Sequence, residues 1–226
     1  GFGTREQMFA AYEQATGHKV ITANGASIGN APDSIPSRMA RGEQFDIVIL
    51  ADAGLEAQVK QGKVMPGSRV DLARSVIGMS VRKGAPRPDI RTVAALRQTL
   101  LDARSIAYSA SASGTYLSTE LFQRLGVAEQ VKDKARKIFS ERVGAVVARG
   151  DAEIGFQQVS ELLPFKELDF VGPLPDEVQQ TIFFSAGLAT GAREPDAARH
   201  LIQFLASPAA ASIVRSTGMD PVAGKR

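Results

Sequence analysis

Short apolar runs and amphipathic segments alternate along this chain from its first residues to its last, and that alternation most constrains its fold. Glu6 to Thr16 has Met8, Phe9 and Tyr12 on one side of a helix, and Gly17 stops it. His18 to Ala23 alternates as a strand and runs into Asn24-Gly25-Ala26-Ser27-Ile28-Gly29. Pro32 to Arg41 reads as a helix, and Phe45 to Leu50 as a strand buried on both faces of a parallel sheet. Asp52 then caps a helix over residues 53–61. Ser75 to Arg82 is a strand and Thr92 to Leu101 a helix. The pattern repeats through strands at residues 105–108, 135–139, 153–157, 168–171 and 180–189. Helices are expected between them, and two more, Pro195 to Ala206 and Pro208 to Ser216, close the chain. Such alternation predicts an α/β protein with mainly parallel sheet.

Two breaks rich in Gly and Pro, Gly84 to Pro88 and Gly172 to Pro175, cut this pattern into three parts. Two lobes joined by two crossovers fit: residues 1–80 with 188–226 in one, and 81–187 in the other. Hinges are expected near Ser80 to Gly84 and Ser185 to Leu188, and a ligand clamped between the lobes follows from that geometry.

The stretch Ser109 to Leu125, SASASGTYLSTELFQRL, is the strongest functional feature. A strand feeds a turn holding Ser109, Ser111 and Ser113, with Ser118 beyond. Gly114 permits a close backbone approach, and Leu117, Leu121, Phe122 and Leu125 then recur at helical spacing. A single hydroxyl suffices to cap a helix, whereas this turn also carries Thr115 and Tyr116. Free N–H groups, the helix dipole and several hydroxyls together make a site for an anion.

Composition excludes several classes. The 226 residues are 44% hydrophobic and 23% charged with a net charge of +3, and the Lys and Arg form no run that would argue for nucleic acid. The absence of cysteine excludes disulfides and thiolate metal sites. His18 and His200 sit in polar surroundings, so neither a metal nor a Ser-His triad is expected. No run approaches the roughly 20 apolar residues of a membrane span.

The chain resembles the periplasmic solute-binding proteins of ABC transporters, of the molybdate-binding type. Four blocks carry the resemblance in the family's order and spacing: FAAYEQATGHKV, GASIGNAPDSIPSRMARGEQFDIVILAD, VGAVVARGDAEIGFQQVSELL and EPDAARHLIQFLASPAAASIVRSTGM. The resemblance implies the two-lobed type 2 periplasmic-binding-protein fold and capture of a small anion by lobe closure, without enzymatic activity or cofactor. It further implies delivery to an ABC transporter membrane permease, a periplasmic location with any signal peptide outside this chain, and a monomer. By the same resemblance the ligand contacts are Ala26, Ser27 and Ile28 in the first lobe. In the second they are Ser109, Ser111, Ser113, Gly114, Thr115 and Tyr116, then Arg142 and Val143 at a helix start, and Gln158. Gln158 stands where the molybdate binders have Tyr, and Arg142 where the family often has Asn. A neutral cage suits molybdate, whereas Arg142 suits a carboxylate that it grips with two parallel hydrogen bonds. An effector-binding domain of a bacterial regulator and an enzyme are the competing readings. No DNA-binding element is visible for the first. For the second, Ser113 has no basic partner nearby, and Asp46, Asp52 and Glu141 have evident capping or surface roles.

Overall fold

The computed structural model describes residues 2–25, 27 and 32–222, and the side chains of all of these from residue 5 onward. The chain divides into two compact units, Gly1–Arg74 with Ile182–Arg226, and Ser75–Thr181.

The first unit begins with α1 (Phe2–Thr16), α2 (Ile35–Ala40), β1 (Ile47–Ala51), α3 (Asp52–Lys60) and β2 (Val70–Ser75). Gly17, at φ 75°, ends α1 in the left-handed conformation that an L side chain resists, and its N–H donates to Glu13 O at 2.8 Å. Ser34 caps α2 by accepting the Ser37 N–H. The second unit follows with β3 (Ile77–Arg82), α4 (Val93–Asp102), β4 (Ile106–Ser109) and α5 (Ala112–Tyr116). Leu117–Leu121 continues α5 as a π-helical turn into α6 (Phe122–Arg124). Then come α7 (Ala128–Val131), β5 (Ala135–Ile138), α8 (Val143–Ala148), β6 (Ile154–Gln158), α9 (Val159–Leu162), β7 (Leu168–Pro173) and a 3₁₀ turn at Asp176–Val178. The chain returns to the first unit with β8 (Ile182–Leu188), α10 (Pro195–Leu205), α11 (Pro208–Ser216) and β9 (Asp220–Pro221).

The sheet of the first unit has the order β1-β8-β2-β9, and that of the second β5-β4-β6-β3-β7. Apolar side chains cover both faces of the second sheet. Ile77, Met79, Leu96, Ile106, Leu117, Leu121 and Phe156 belong to one cluster, and Ala107, Val143, Val146, Val147 and Leu162 to the other. The α/β expectation holds, but the sheets are mixed rather than mainly parallel. β4 pairs β5 and β6 in parallel, whereas β3 runs antiparallel to β6 and β7, and β1 runs antiparallel to β8. The apolar run of β3 reports burial on both faces, and burial carries no information on strand direction.

Four local expectations also change. Residues 17–25 form no strand, and Ile21 is 90% exposed. The short stretch around Val20 and Ile21 reads as a strand, but a strand needs a neighbouring edge for its backbone groups. The run Ser75 to Arg82 belongs to two strands, β2 and β3, separated at Val76. Ala51, not Asp52, precedes α3, and Asp52 Oδ1 accepts the next N–H, from Ala53, at 3.0 Å. The expected hinge residues Ser80 and Ser185 are both 0% exposed inside β3 and β8, where ladder hydrogen bonds oppose backbone rotation. The chain passes between the units at Arg74–Ser75 and Thr181–Ile182.

Candidate functional site

In the second unit β4, β5 and β6 are mutually parallel, so their carboxyl ends share one edge of the sheet. Ligands of open α/β sheets bind at such edges. β3 begins there too, because Ile77 lies opposite Gln158 and Gly78 opposite Gln157. A concavity of about 600 Å³ lined by Arg82, Arg104 and Glu153 lies at the other edge, where these parallel strands begin, and Arg104 is ion-paired to Glu153 there.

At the end of β4 the three expected serines meet. Ser109 Oγ lies 2.6 Å from Ser111 Oγ and 2.9 Å from Ser113 Oγ, and Ser111 Oγ lies 3.3 Å from Ser113 Oγ. Ser109 and Ser113 are buried and Ser111 is exposed, so the triangle has one open corner. The hydroxyls share three short contacts among themselves, and each hydroxyl can turn its proton toward an anion. Gly114 makes this turn possible, since a Cβ built there would lie 1.5 Å from Ser109 O. Thr115 Oγ1 donates back to Ser111 O at 3.1 Å, and the Thr115 N–H to the same oxygen at 3.0 Å. Both donors proposed for Thr115 are therefore engaged in the first helical turn.

Tyr116 is placed otherwise than its ligand-binding expectation requires. Its buried hydroxyl donates to Val178 O at 2.6 Å and accepts from Arg124 Nη1 at 3.2 Å. With its hydroxyl engaged by Val178 O and Arg124, Tyr116 braces the turn rather than offering a donor to a ligand.

The loop after β5 brings Arg142 to the same edge as the residue preceding α8. Its side chain is 57% exposed, and its Nε lies 3.9 Å from Glu161 Oε2. Val143 is buried into the second apolar cluster, so only its backbone is available to a ligand. Arg149 holds the loop by pairing with Glu141, Nη2 to Oε2 at 2.8 Å, and with Asp151. Hydrogen bonding from the Arg149 guanidinium holds the Glu141 carboxyl below its usual range and raises Arg149 in turn. A depressed carboxyl stabilises the fold above its unfolded value, and that contribution is lost as pH falls through the folded value. Thermal melts of wild type and Glu141→Gln are therefore expected to differ slightly at neutral pH and to converge in acid below the usual carboxylate range. A constant difference at all pH values would exclude this contact as the source.

Gln158 is the last residue of β6 at this edge, one position beyond the expected strand end at Gln157. Its Oε1, and those of Gln157 and Gln180, are buried without a hydrogen-bond partner among the described residues. Ser75 Oγ, at the start of the unit, is likewise unpartnered. No sequence signal marks Ser75 or Gln180, since neither stands in a motif. In the first unit the Ser27 hydroxyl accepts the Ala51 N–H at 3.3 Å, at the carboxyl end of β1. Ala26 and Ile28 lie outside the described residues. His200 Nδ1 is 3.1 Å from the Tyr12 hydroxyl. Among the described residues no group of three or more His, Asp or Glu could hold a metal, and no helix is long and apolar enough to cross a membrane.

The family model for bacterial extracellular solute-binding proteins matches residues 4–220. The chain belongs to that family. It is 26% identical over 92% of its length to the molybdate-binding protein ModA of Azotobacter vinelandii, covering 81% of that protein. Its fold is that of the type 2 periplasmic binding proteins. The solved structure of the Azotobacter vinelandii periplasmic molybdate-binding protein gives a TM-score of 0.72 at 22% identity, over 96% of this chain and 94% of that one. The substrate-binding domain assigned to a molybdenum ABC transporter of Clostridium difficile gives 0.80 at 19% identity, over 97% and 93%.

One relative corrects the sequence reading. The chain is 46% identical to a Pseudomonas protein named aconitate isomerase, over 97% of this chain and 84% of that protein. The expectation of a protein without enzymatic activity does not survive this similarity. Scattered acids and a serine without a basic partner argue only against nucleophilic catalysis. An isomerisation that moves a proton needs no nucleophile.

Proposed function

We propose that this solute-binding protein takes a small tricarboxylate of the aconitate type and interconverts its double-bond isomers. The observation that carries the reading is the 46% identity, over 97% of the chain, to the protein named aconitate isomerase. The site chemistry agrees with it. The Ser109, Ser111 and Ser113 hydroxyls and the first-turn N–H groups at Ser113 and Gly114 suit one carboxylate. The Arg142 guanidinium supplies a charged, bidentate donor for another. Arg142 is ion-paired to Glu161 at 3.9 Å through Nε, with its side chain 57% exposed, so the outer edge of the guanidinium is open to a ligand.

Aconitate carries three carboxylates on a three-carbon chain with one double bond. Its isomers interconvert when a base removes a proton from the CH₂ carbon and the electron pair spreads over the three carbons. The proton is then returned to the carbon at the other end. One C–H bond breaks, one forms, the double bond shifts, and no oxidant or reductant takes part. Glu161 is the acid that this edge offers for the task. It stands one helical turn beyond Gln158, beside Arg142, with its side chain 31% exposed. In this role it takes the proton and gives it back.

Transport of an inorganic oxyanion is the second reading. It is favoured by the neutral serine triangle and by 28% identity to the molybdate-binding protein ModA of Rhodobacter capsulatus over 94% of this chain and 82% of that protein. In that reading the protein works in the periplasm and delivers its ligand to an ABC permease. Calorimetric titration with trans-aconitate, cis-aconitate, molybdate and sulfate separates the two. The tricarboxylates are expected to bind at least about tenfold tighter than molybdate, since a charged hydrogen bond adds roughly 1.5–3 kcal/mol that a neutral cage forgoes. Tighter binding of molybdate than of either aconitate would overturn the tricarboxylate reading.

A further inference from the structure

We infer that Ser75, Gln157 and Gln180 form a second, uncharged subsite that holds a further carboxyl arm of the ligand, an inference that rests on the tricarboxylate reading. All three stand around the first residues of β3. Gln157 lies opposite Gly78 in the ladder, and Ser75 precedes Ile77 by two residues. The Gln180 N–H donates to Gln179 Oε1 at 3.1 Å, and the same oxygen accepts the Ile77 N–H at 2.9 Å. The backbones of all three therefore lie by the sheet edge where β4, β5 and β6 end, the edge that also carries the serine triangle.

Each of the three presents a buried polar atom without a hydrogen-bond partner among the described residues. Ser75 is 1% exposed with its Oγ unpartnered, and the Oε1 atoms of Gln157 and Gln180 are buried without partners among the described residues. Buried polar groups in native proteins are nearly always bonded, and those that are not need an explanation. Neighbouring Gln179 shows the structural use of an amide at this place. Its oxygen accepts from the Ile77 and Gln180 N–H groups, and its Nε2 donates to Ile77 O at 2.9 Å. Gln179 is spent on the fold, whereas Gln157 and Gln180 keep an end free.

The chemistry fits a carboxyl arm. A half-turn of the amide brings its two N–H donors where the oxygen stood, and a serine hydroxyl adds a third kind of donor. Uncharged donors also tolerate an empty, buried site far better than a charged side chain does. A tricarboxylate has more arms than the serine triangle and Arg142 take up, and a tetrahedral oxyanion has none to reach this place.

The test uses the variants Ser75→Ala, Gln157→Met and Gln180→Met with trans-aconitate and molybdate as probes, and Gln179→Met as the structural control. Each of the three variants is expected to weaken trans-aconitate by about tenfold, the worth of roughly one hydrogen bond, and to leave molybdate affinity unchanged. Their ligand-free melting temperatures should hold or rise, because an unsatisfied buried group has been removed. Gln179→Met should lower the ligand-free melting temperature. Unchanged trans-aconitate affinity in all three variants overturns the subsite. So does an equal loss for molybdate, or a loss that comes only with a lowered ligand-free melting temperature. Failure of the wild-type protein to bind trans-aconitate removes the tricarboxylate reading itself, and the subsite with it.

Discussion

Gly114→Ala is expected to abolish binding of trans-aconitate and to lower the melting temperature by several degrees. The added Cβ would lie 1.5 Å from Ser109 O, 2.6 Å from Ser109 C and 3.0 Å from Ser109 N. All three are backbone atoms at the end of β4, so no side chain can swing aside to make room. Either the first turn of α5 moves off the strand or the strand end bends away, and each separates Ser113 from Ser109, whose hydroxyls now stand 2.9 Å apart. The anion site is then lost with the turn, while the strands of the second sheet keep their pairings. Calorimetry paired with a thermal melt checks the result. Wild-type affinity in Gly114→Ala would show that the ligand does not use this turn.

Glu161→Gln is expected to lower turnover of trans-aconitate by about 10²- to 10⁴-fold while leaving its affinity within a few-fold, the range typical of a lost general base. The amide keeps the size and polarity of the carboxylate but cannot take a proton at neutral pH. The salt-bridge geometry sharpens the test. Glu161 Oε2 is 3.9 Å from Arg142 Nε, so a role limited to orienting Arg142 would surface as weaker binding with turnover at saturation preserved. Steady-state kinetics that separate kcat from KM distinguish the two, and an unchanged kcat would exclude Glu161 as the proton acceptor.

Much of the fold was legible because its signals are local. Gly17 at α1, Thr92 accepting the Ala95 N–H before α4, and Pro195 and Pro208 opening the last two helices are short-range chemistry that a sequence carries directly. The serine turn was legible for the same reason: strand, hydroxyls, Gly114 and helix follow one another within a dozen residues. Strand direction was not, because β3 is buried on both faces whichever way it runs. The segment at Val20 and Ile21 misled, since alternation without a partner edge makes no strand. Tyr116 reads as one more hydroxyl of the turn, and only its distance to Val178 O, 62 residues away in sequence, reveals its bracing role. Ser75 and Gln180 escape for a related reason, whereas Gln157 and Gln158 read as a pair of which one faces the cleft. What marks Ser75 and Gln180 is a bond they lack, as Ser80 and Gln158 also do, and a missing partner leaves no trace in the pattern of residues.

The most direct test of the whole account is proton NMR of trans-aconitate incubated with the purified protein in deuterated water. Growth of cis-aconitate signals is expected, together with deuterium appearing on the CH₂ carbon of both isomers, because the abstracted proton exchanges while it resides on the protein. Binding of trans-aconitate with no cis-aconitate formed and no deuterium incorporated would contradict the isomerase reading, and would leave a solute-binding protein that captures the ligand without transforming it.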